Sequence, residues 1–221
     1  MEDWISKDML IAECLKTGFN ITIGSSPLAV SLIPSPIESP SASDNTLYHN
    51  YLKSIVKVCN YTHIANPGGL SGIHDHAINA IMNVPTSSAD IWFSEGNLKI
   101  IAVFLDIFES CLKEMVPSEP IEPPKTIFNK PFDQALIPLC IVMKRLASIP
   151  GESRSTIKAR LAPSNIDRTK KLTDGNELTA FIFRAITSIA LTETRNFICD
   201  VLLTCFDENS KSMRVLLILL I

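Results

Sequence analysis

The residues best suited to bind a charged partner lie in one basic segment, Gly151–Lys171, which reads GESRSTIKARLAPSNIDRTKK. Within it, Arg154 and Lys158 are four residues apart, so on a helix both side chains project from the same face. From Lys144 to Lys171 there are eight Lys or Arg residues against two acidic ones, a net charge of +6, whereas the whole chain carries −3. Clustered guanidinium and ammonium groups suit a partner that supplies carboxylates or phosphates, although a solvated helix face has the same pattern.

Motifs that would indicate catalysis or metal binding are missing from the sequence. It contains no GxSxG, HExxH or GxxxxGK[ST] pattern, and only 8 glycines in 221 residues speak against a glycine-rich nucleotide-binding fold. His74 and His76 are two residues apart and do not share a helix face, so we predict no metal site. We therefore expect a binding protein rather than an enzyme, with no catalytic residues and no cofactor.

Cysteine usage and overall charge narrow the class of protein further. The six cysteines form no CxxC, and each falls within an apolar helical pattern, where a free thiol behaves as a small hydrophobic group. This usage favours a reducing intracellular compartment over a disulfide framework. The isoelectric point of about 5.8 and the lack of aromatic residues among the basic ones argue against nucleic acid as a partner.

The order of apolar residues predicts an all-α protein. Helical spacing recurs around the basic segment in seven further stretches, at about residues 7–23, 46–63, 74–83, 98–115, 132–147, 178–189 and 193–206. No stretch alternates apolar and polar residues as a half-buried strand would. The pattern allows both a superhelical solenoid of armadillo-type repeats and an irregular helical bundle.

Two proline-rich segments interrupt what we predict to be a single helical domain over residues 1–221. Residues 24–44 hold four prolines and seven serines, and residues 116–130 hold four more prolines, so both are predicted loops. The acidic start of the chain does not resemble a signal or transit peptide. The apolar stretch Val215–Ile221 has seven residues, whereas a transmembrane helix needs roughly 20, so no transmembrane segment is predicted.

Several segments, taken in order, follow the sequence pattern of one known family. They are AECLKTGFNIT at 12–22, HAINAIMNVP at 76–85, RSTIKARLAP at 154–163, and the continuation at 162–168, 178–187 and 201–207. These segments resemble the synembryn family in its fungal form, the cytosolic chaperones and guanine nucleotide exchange factors of heterotrimeric G-protein α subunits (Gα). The resemblance implies an armadillo-like α-solenoid whose concave surface binds the C-terminal helix of Gα and promotes GDP release without covalent chemistry.

The resemblance also assigns residues. Arg154 and Lys158 match the family's basic pair that contacts the C-terminal end of Gα, which agrees with the charge argument. Asn20, Asn79 and Asn83 fall on helices that the resemblance turns inward, where an amide can bond the backbone of a docked segment. Asparagine is equally a helix-end or turn residue, and that alternative stays open.

The same resemblance carries expectations about location and completeness. It implies a cytoplasmic protein that Gα recruits to the cell cortex or plasma membrane. It places the family's first repeats before Met1 and expects Gly-Tyr-Gly where this chain continues into Val215–Ile221, so we expect a chain shortened at both ends. From the residues alone, the alternative function is a non-catalytic helical scaffold or adaptor for another acidic partner.

Overall fold

The structure is a computed structural model. It describes residues 7–24, 50, 53–59, 72–82, 92–93, 98–117, 126–127, 130–131, 134, 136–163, 169 and 171–206. The chain divides into two compact units, residues 1–100 and residues 101–221, and each is described by itself below.

The described residues are almost entirely helical, which confirms the predicted all-α class. The helices are α1 (Lys7–Gly24), α2 (Gly72–Ile81), α3 (Lys99–Met115), α4 (Ile137–Ser148), α5 (Glu152–Leu161), α6 (Leu178–Thr187) and α7 (Thr192–Cys205). Residues 53–59 are also helical, and a 3-10 turn at Ile189–Leu191 precedes α7. Because the apolar residues recur with a period near 3.6, the predicted segments overlap these helices, with ends that differ by a few residues.

A short pair of strands lies in and next to the predicted 116–130 loop. β1 (Thr126–Ile127) pairs antiparallel with β2 (Lys130–Pro131), two residues on each side. This pairing could not be predicted from the sequence, because two residues are too few to show alternation. The other predicted loop lies, apart from Gly24 at the end of α1, outside the described residues. The single domain over residues 1–221 and the solenoid arrangement stay predictions.

In the first unit, α1 packs against α2. The buried apolar side chains of this unit come from five separate stretches, and they are Leu15, Ile55, Val56, Cys59, Ala77, Ile78, Ala80, Ile81, Trp92 and Ile100. An apolar cleft of about 250 Å³ lies between α1 and residues 53–59. Met9 and Leu10 on α1 are exposed.

In the second unit, α7 packs against α4, α5 and α6, and α5 also contacts α4 and α6. Its core takes one apolar face from each helix: Phe104, Phe108 and Leu112 from α3, Leu139, Val142 and Leu146 from α4, Phe181 and Ala185 from α6, and Ile198, Val201 and Leu202 from α7. Each large side chain buried in this way stabilises the fold by roughly 1.5–3 kcal/mol relative to exposure. This core fixes the position of α5, which carries the basic segment.

Local signals in the sequence explain the corner between α4 and α5. Pro138 lies in the first turn of α4, where a missing N–H costs nothing and the fixed φ suits a helix. After α4 ends, the chain turns through Ile149, Pro150 and Gly151 into α5. Gly151 has φ 96°, a backbone conformation that residues with a Cβ rarely adopt, so glycine is strongly favoured at this sharp turn.

Among the residues that the structure describes, no helix is both long enough and apolar enough to cross a bilayer.

Candidate functional site

The basic helix α5 is anchored by one narrow face. Ser153, Ile157 and Leu161 are buried at four-residue spacing. Lys158 and Arg160 are exposed, and Arg154 is half-buried at the edge of the anchored face. Spacing along the helix therefore decides which cations remain at the surface.

Arg154 binds the end of the preceding helix. Its Nε donates to the carbonyl oxygen of Ala147 at 2.8 Å, and Nη2 lies 3.5 Å from that of Ser148. The hydroxyl of the neighbouring Ser153 donates to the carbonyl of Leu146 at 2.7 Å. These carbonyls belong to the last turn of α4, where backbone acceptors lack partners within their own helix. Arg154 and Ser153 together therefore cap α4 from α5.

Lys158 lies against the end of a different helix. Its Nζ is 4.6 Å from the centroid of the Phe206 ring, a distance that gives a cation–π interaction. Phe206 is only 8% exposed and forms the C-cap of α7, where its N–H donates to the carbonyls of Leu202 and Leu203. The exposed ammonium is thus held over a buried ring at the C-terminal end of α7.

Burial and two nearby cations affect the pKa of the Cys205 thiol. Burial raises the pKa of Cys205 to about 11, while the positive charges of Arg154 and Lys158 act in the opposite direction. Cys205 is the last residue of α7. Lys158 lies at this C-terminal end, which carries the negative end of the helix dipole, whereas Arg154 bonds the end of α4.

The fold balances other charges that the sequence concentrates in this region. The Nζ of Lys144 is 2.8 Å from the Asp200 carboxylate on α7. The guanidinium of Arg160 lies 2.7 Å from Glu109 and 3.5 Å from Asp106, both on α3. All three acidic residues are distant in the sequence. Counting charges along the chain therefore overstates the positive potential that α4 and α5 present to a partner.

Arg184 on α6 is a half-buried residue with several contacts, and the sequence pattern did not predict its role. Its Nε donates to the carbonyl of Val116 at 3.0 Å, and Nη1 donates to those of Thr173 at 2.6 Å and Gly175 at 3.0 Å. The guanidinium carbon also lies 4.6 Å from the centroid of the Phe181 ring. The signal was a lone arginine in the apolar stretch LTAFIFRAIT, since a charge there needs buried partners.

The surroundings of Arg184 change its pKa. Burial lowers the pKa of Arg184, and the carboxylates of Asp174 and Glu177 partly offset this effect. Its Nη2 is buried, and no hydrogen-bond acceptor for it lies among the described residues. Through its bonds to the carbonyls of Val116, Thr173 and Gly175, Arg184 links the segment after α3 to the turn before α6.

The predicted asparagines lie in the first unit, and the predicted cations lie in the second. Asn20 is exposed on α1. Asn79 on α2 is half-buried, and its Nδ2 donates to the carbonyl of Asp75 at 2.7 Å, a local contact within the same helix. Asn83 lies outside the described residues. The structure therefore places Arg154 at the end of α4 and Lys158 at the end of α7, and it describes Asn20 and Asn79 separately from both.

The cysteines are all free thiols. Four are buried, as their apolar patterns predicted: Cys59, Cys111, Cys140 and Cys205. Cys14 is exposed, which corrects its assignment as a small hydrophobic core residue, because its face of α1 borders the apolar cleft rather than closing over it. Within the part of the chain that the structure describes, no group of three His, Cys, Asp or Glu residues could hold a metal ion.

These elements define an all-α protein whose basic residues cap helices and present one cation beside a buried ring. Comparison with protein families matches residues 2–215 to the family described as guanine nucleotide exchange factor synembryn (Ric8). The match covers nearly the whole chain, so the chain belongs to this family of guanine nucleotide exchange factors, and the predicted resemblance is confirmed. Comparisons with curated proteins and with solved structures gave no match.

Proposed function

We propose that this chain promotes guanine nucleotide exchange on a heterotrimeric Gα subunit by binding the C-terminal segment of Gα at the corner formed by α5 and the end of α7. The observation that carries the proposal is the exposed Lys158 on α5, whose Nζ lies 4.6 Å from the centroid of the Phe206 ring at the end of α7. Membership of the synembryn family supports the exchange activity. The positive charges of Lys158 and Arg154 on α5 form a surface that favours binding of a carboxylate.

The two cations have different parts in this proposal. Lys158 offers its exposed ammonium directly to the terminal carboxylate of the partner. Arg154 adds positive charge, while its Nε holds the end of α4 and so fixes the position of α5. A charge-assisted hydrogen bond to a carboxylate contributes about 1.5–3 kcal/mol when it forms away from bulk water.

The mechanism requires no covalent step. Binding the Gα C-terminal helix would draw it away from the nucleotide-binding domain, so that loops around the guanine lose support and GDP leaves. Such exchange requires the chain to bind nucleotide-free Gα more tightly than GDP-bound Gα. The same contact would shield an incompletely folded Gα until GTP binds, which is the chaperone activity.

The remaining parts of the proposal concern the wider protein. We place the helices in an armadillo-like solenoid, with Asn20, Asn79 and Asn83 as further groove residues that bond the backbone of the docked segment. We also propose a cytoplasmic protein that reaches the cell cortex through Gα. Asn79 would have to exchange its bond to the Asp75 carbonyl for one to the partner.

The experiment is a calorimetric titration of the full chain with GDP-bound and nucleotide-free Gα, together with fluorescent GDP release. Lys158→Glu places a carboxylate opposite the partner's carboxylate, so we expect affinity to fall at least about tenfold, or about 1.4 kcal/mol. Lys158 is exposed and glutamate is a good helix former, so helicity should not change.

The matched control is Lys171→Glu, the same charge reversal at an exposed position in the turn before α6. It should change affinity much less, and only through salt-screened attraction. Equal affinity of wild type and the Lys158 variant, with wild-type binding intact, would show that Lys158 is a solvated cation. Binding of Gα without faster GDP release would instead favour the scaffold function.

A further inference from the structure

The contact between Lys158 and Phe206 joins an exposed cation to a ring whose own position is fixed. Phe206 is nearly buried, and its N–H is bonded to two carbonyls of the last turn of α7. The ammonium lies 4.6 Å from the ring centroid. Lysine otherwise has a long, flexible stem, and immobilising such a side chain opposes binding. A ring beneath the ammonium therefore restricts a group that would be mobile on a bare helix surface.

We infer that Phe206 is a positioning residue that holds the Lys158 ammonium ready for an anionic partner group, an inference that rests on the proposed function. The ligand is the carboxylate of the proposed function, and an ammonium over a ring face keeps N–H donors directed away from the ring and available to it. The backbone carbonyls at the end of α7 also favour a cation there. The ring does not touch the partner; it acts only through Lys158.

The geometry explains why phenylalanine suits this position better than an aliphatic residue of similar size. Leucine would fill most of the same volume and keep the end of α7 apolar. Of these two side chains, only phenylalanine has a ring face that attracts the ammonium electrostatically. A role in packing and a role in positioning can therefore be separated by comparing a substitution that removes the ring with one that keeps it.

The test compares Phe206→Leu, which removes the ring, with Phe206→Tyr, which keeps it. Affinity of the full chain for nucleotide-free Gα should fall about two- to fivefold in the leucine variant, the range set by an exposed cation–π interaction. The tyrosine variant should bind within about twofold of wild type. In a Lys158→Met background, Phe206→Leu should have no further effect on affinity, because the ring acts through the ammonium.

A second measurement makes no use of Gα. In the chain with reductively ¹³C-methylated lysines, the Lys158 signal, assigned with Lys158→Arg, should show a ring-current shift that disappears in Phe206→Leu and persists in Phe206→Tyr. Absence of this shift in wild type would overturn the positioning role, whatever the affinity data show. If the shift is present but Lys158→Glu leaves Gα binding unchanged, the proposed function is overturned. The ring contact would still stand.

A wild-type ring-current shift, a large loss of affinity in Lys158→Glu and unchanged affinity in Phe206→Leu would together contradict the inference while the proposed function stands. Thermal unfolding of each variant shows whether a loss of affinity comes from a less stable fold. Loss of affinity in Phe206→Leu that persists in the Lys158→Met background would likewise overturn positioning, because the ring would then act through packing alone.

Discussion

Arg154 and Arg184 have nearly the same task in two different regions of the second unit. Arg154 donates to carbonyls at the end of α4, and Arg184 donates to the carbonyls of Val116, Thr173 and Gly175. Arg154 lies in a run of basic residues, a pattern that predicts a binding residue. Arg184 lies among apolar residues, a pattern that predicts no such role. The difference shows that the charge of a segment says little about which cation the fold uses internally.

The comparison predicts that Arg184 matters most for stability. Arg184→Met should lower the free energy of unfolding by about 3 kcal/mol, because three carbonyls lose a charged donor, each bond contributing about 1.5–3 kcal/mol and the sum being less than additive. Chemical denaturation monitored by circular dichroism measures this. Arg184→Lys is the matched control: one ammonium cannot span three carbonyls, so it should recover less than half of the loss. Full recovery would show that only the charge matters.

Arg154 is expected to contribute less. Arg154→Met removes one good bond, to Ala147, and one long contact, to Ser148, so the loss should be about 2 kcal/mol. Lys158→Met, at an exposed position on the same helix, should change stability by only about 0.5–1 kcal/mol. If the two losses were equal in the same denaturation experiment, Arg154 would be a surface cation like its neighbour.

Helix positions were the part of the fold that the sequence predicted well, because helical periodicity is local. The spacing of Arg154 and Lys158 correctly placed both on one side of α5. Their contacts could not be predicted, since Arg154 bonds backbone atoms, which every residue has, and Lys158 meets a ring on another helix. The same holds for the ion pair of Lys144 with Asp200, which are 56 residues apart.

Substitution of Gly151 tests whether the turn between α4 and α5, which Arg154 stabilises, also depends on backbone geometry. An added Cβ at Gly151 would meet no atom within 4 Å, so Gly151→Ala introduces no clash. Its φ of 96° still disfavours alanine, and we expect a loss of about 1.5 kcal/mol in the free energy of unfolding. Thermal melts would measure it. An unchanged melting temperature would mean that the corner relaxes to another backbone conformation.

The smallest effect is expected for the ion pairs that balance the basic segment. Arg160→Gln removes contacts with Glu109 and Asp106 that are half-exposed, so stability should fall by less than about 1 kcal/mol. The loss should shrink further in high salt, because screening weakens exposed pairs. Denaturation at low and high salt checks this. A large loss that is independent of salt would place Arg160 beside Arg184 as a structural cation.

The reactivity of the buried thiols can be used to measure how readily each unit unfolds locally. Burial raises the pKa of Cys59 to about 12, and it also raises that of Cys140, so near neutral pH neither thiol ionises while its surroundings stay closed. An alkylating reagent attacks the thiolate, and modification must therefore wait for local unfolding. Cys59 lies in the first unit and Cys140 in the second. In a timed alkylation read by mass spectrometry, equal rates at the two sites would mean that the units open as one cooperative body, and unequal rates would rank their separate stabilities.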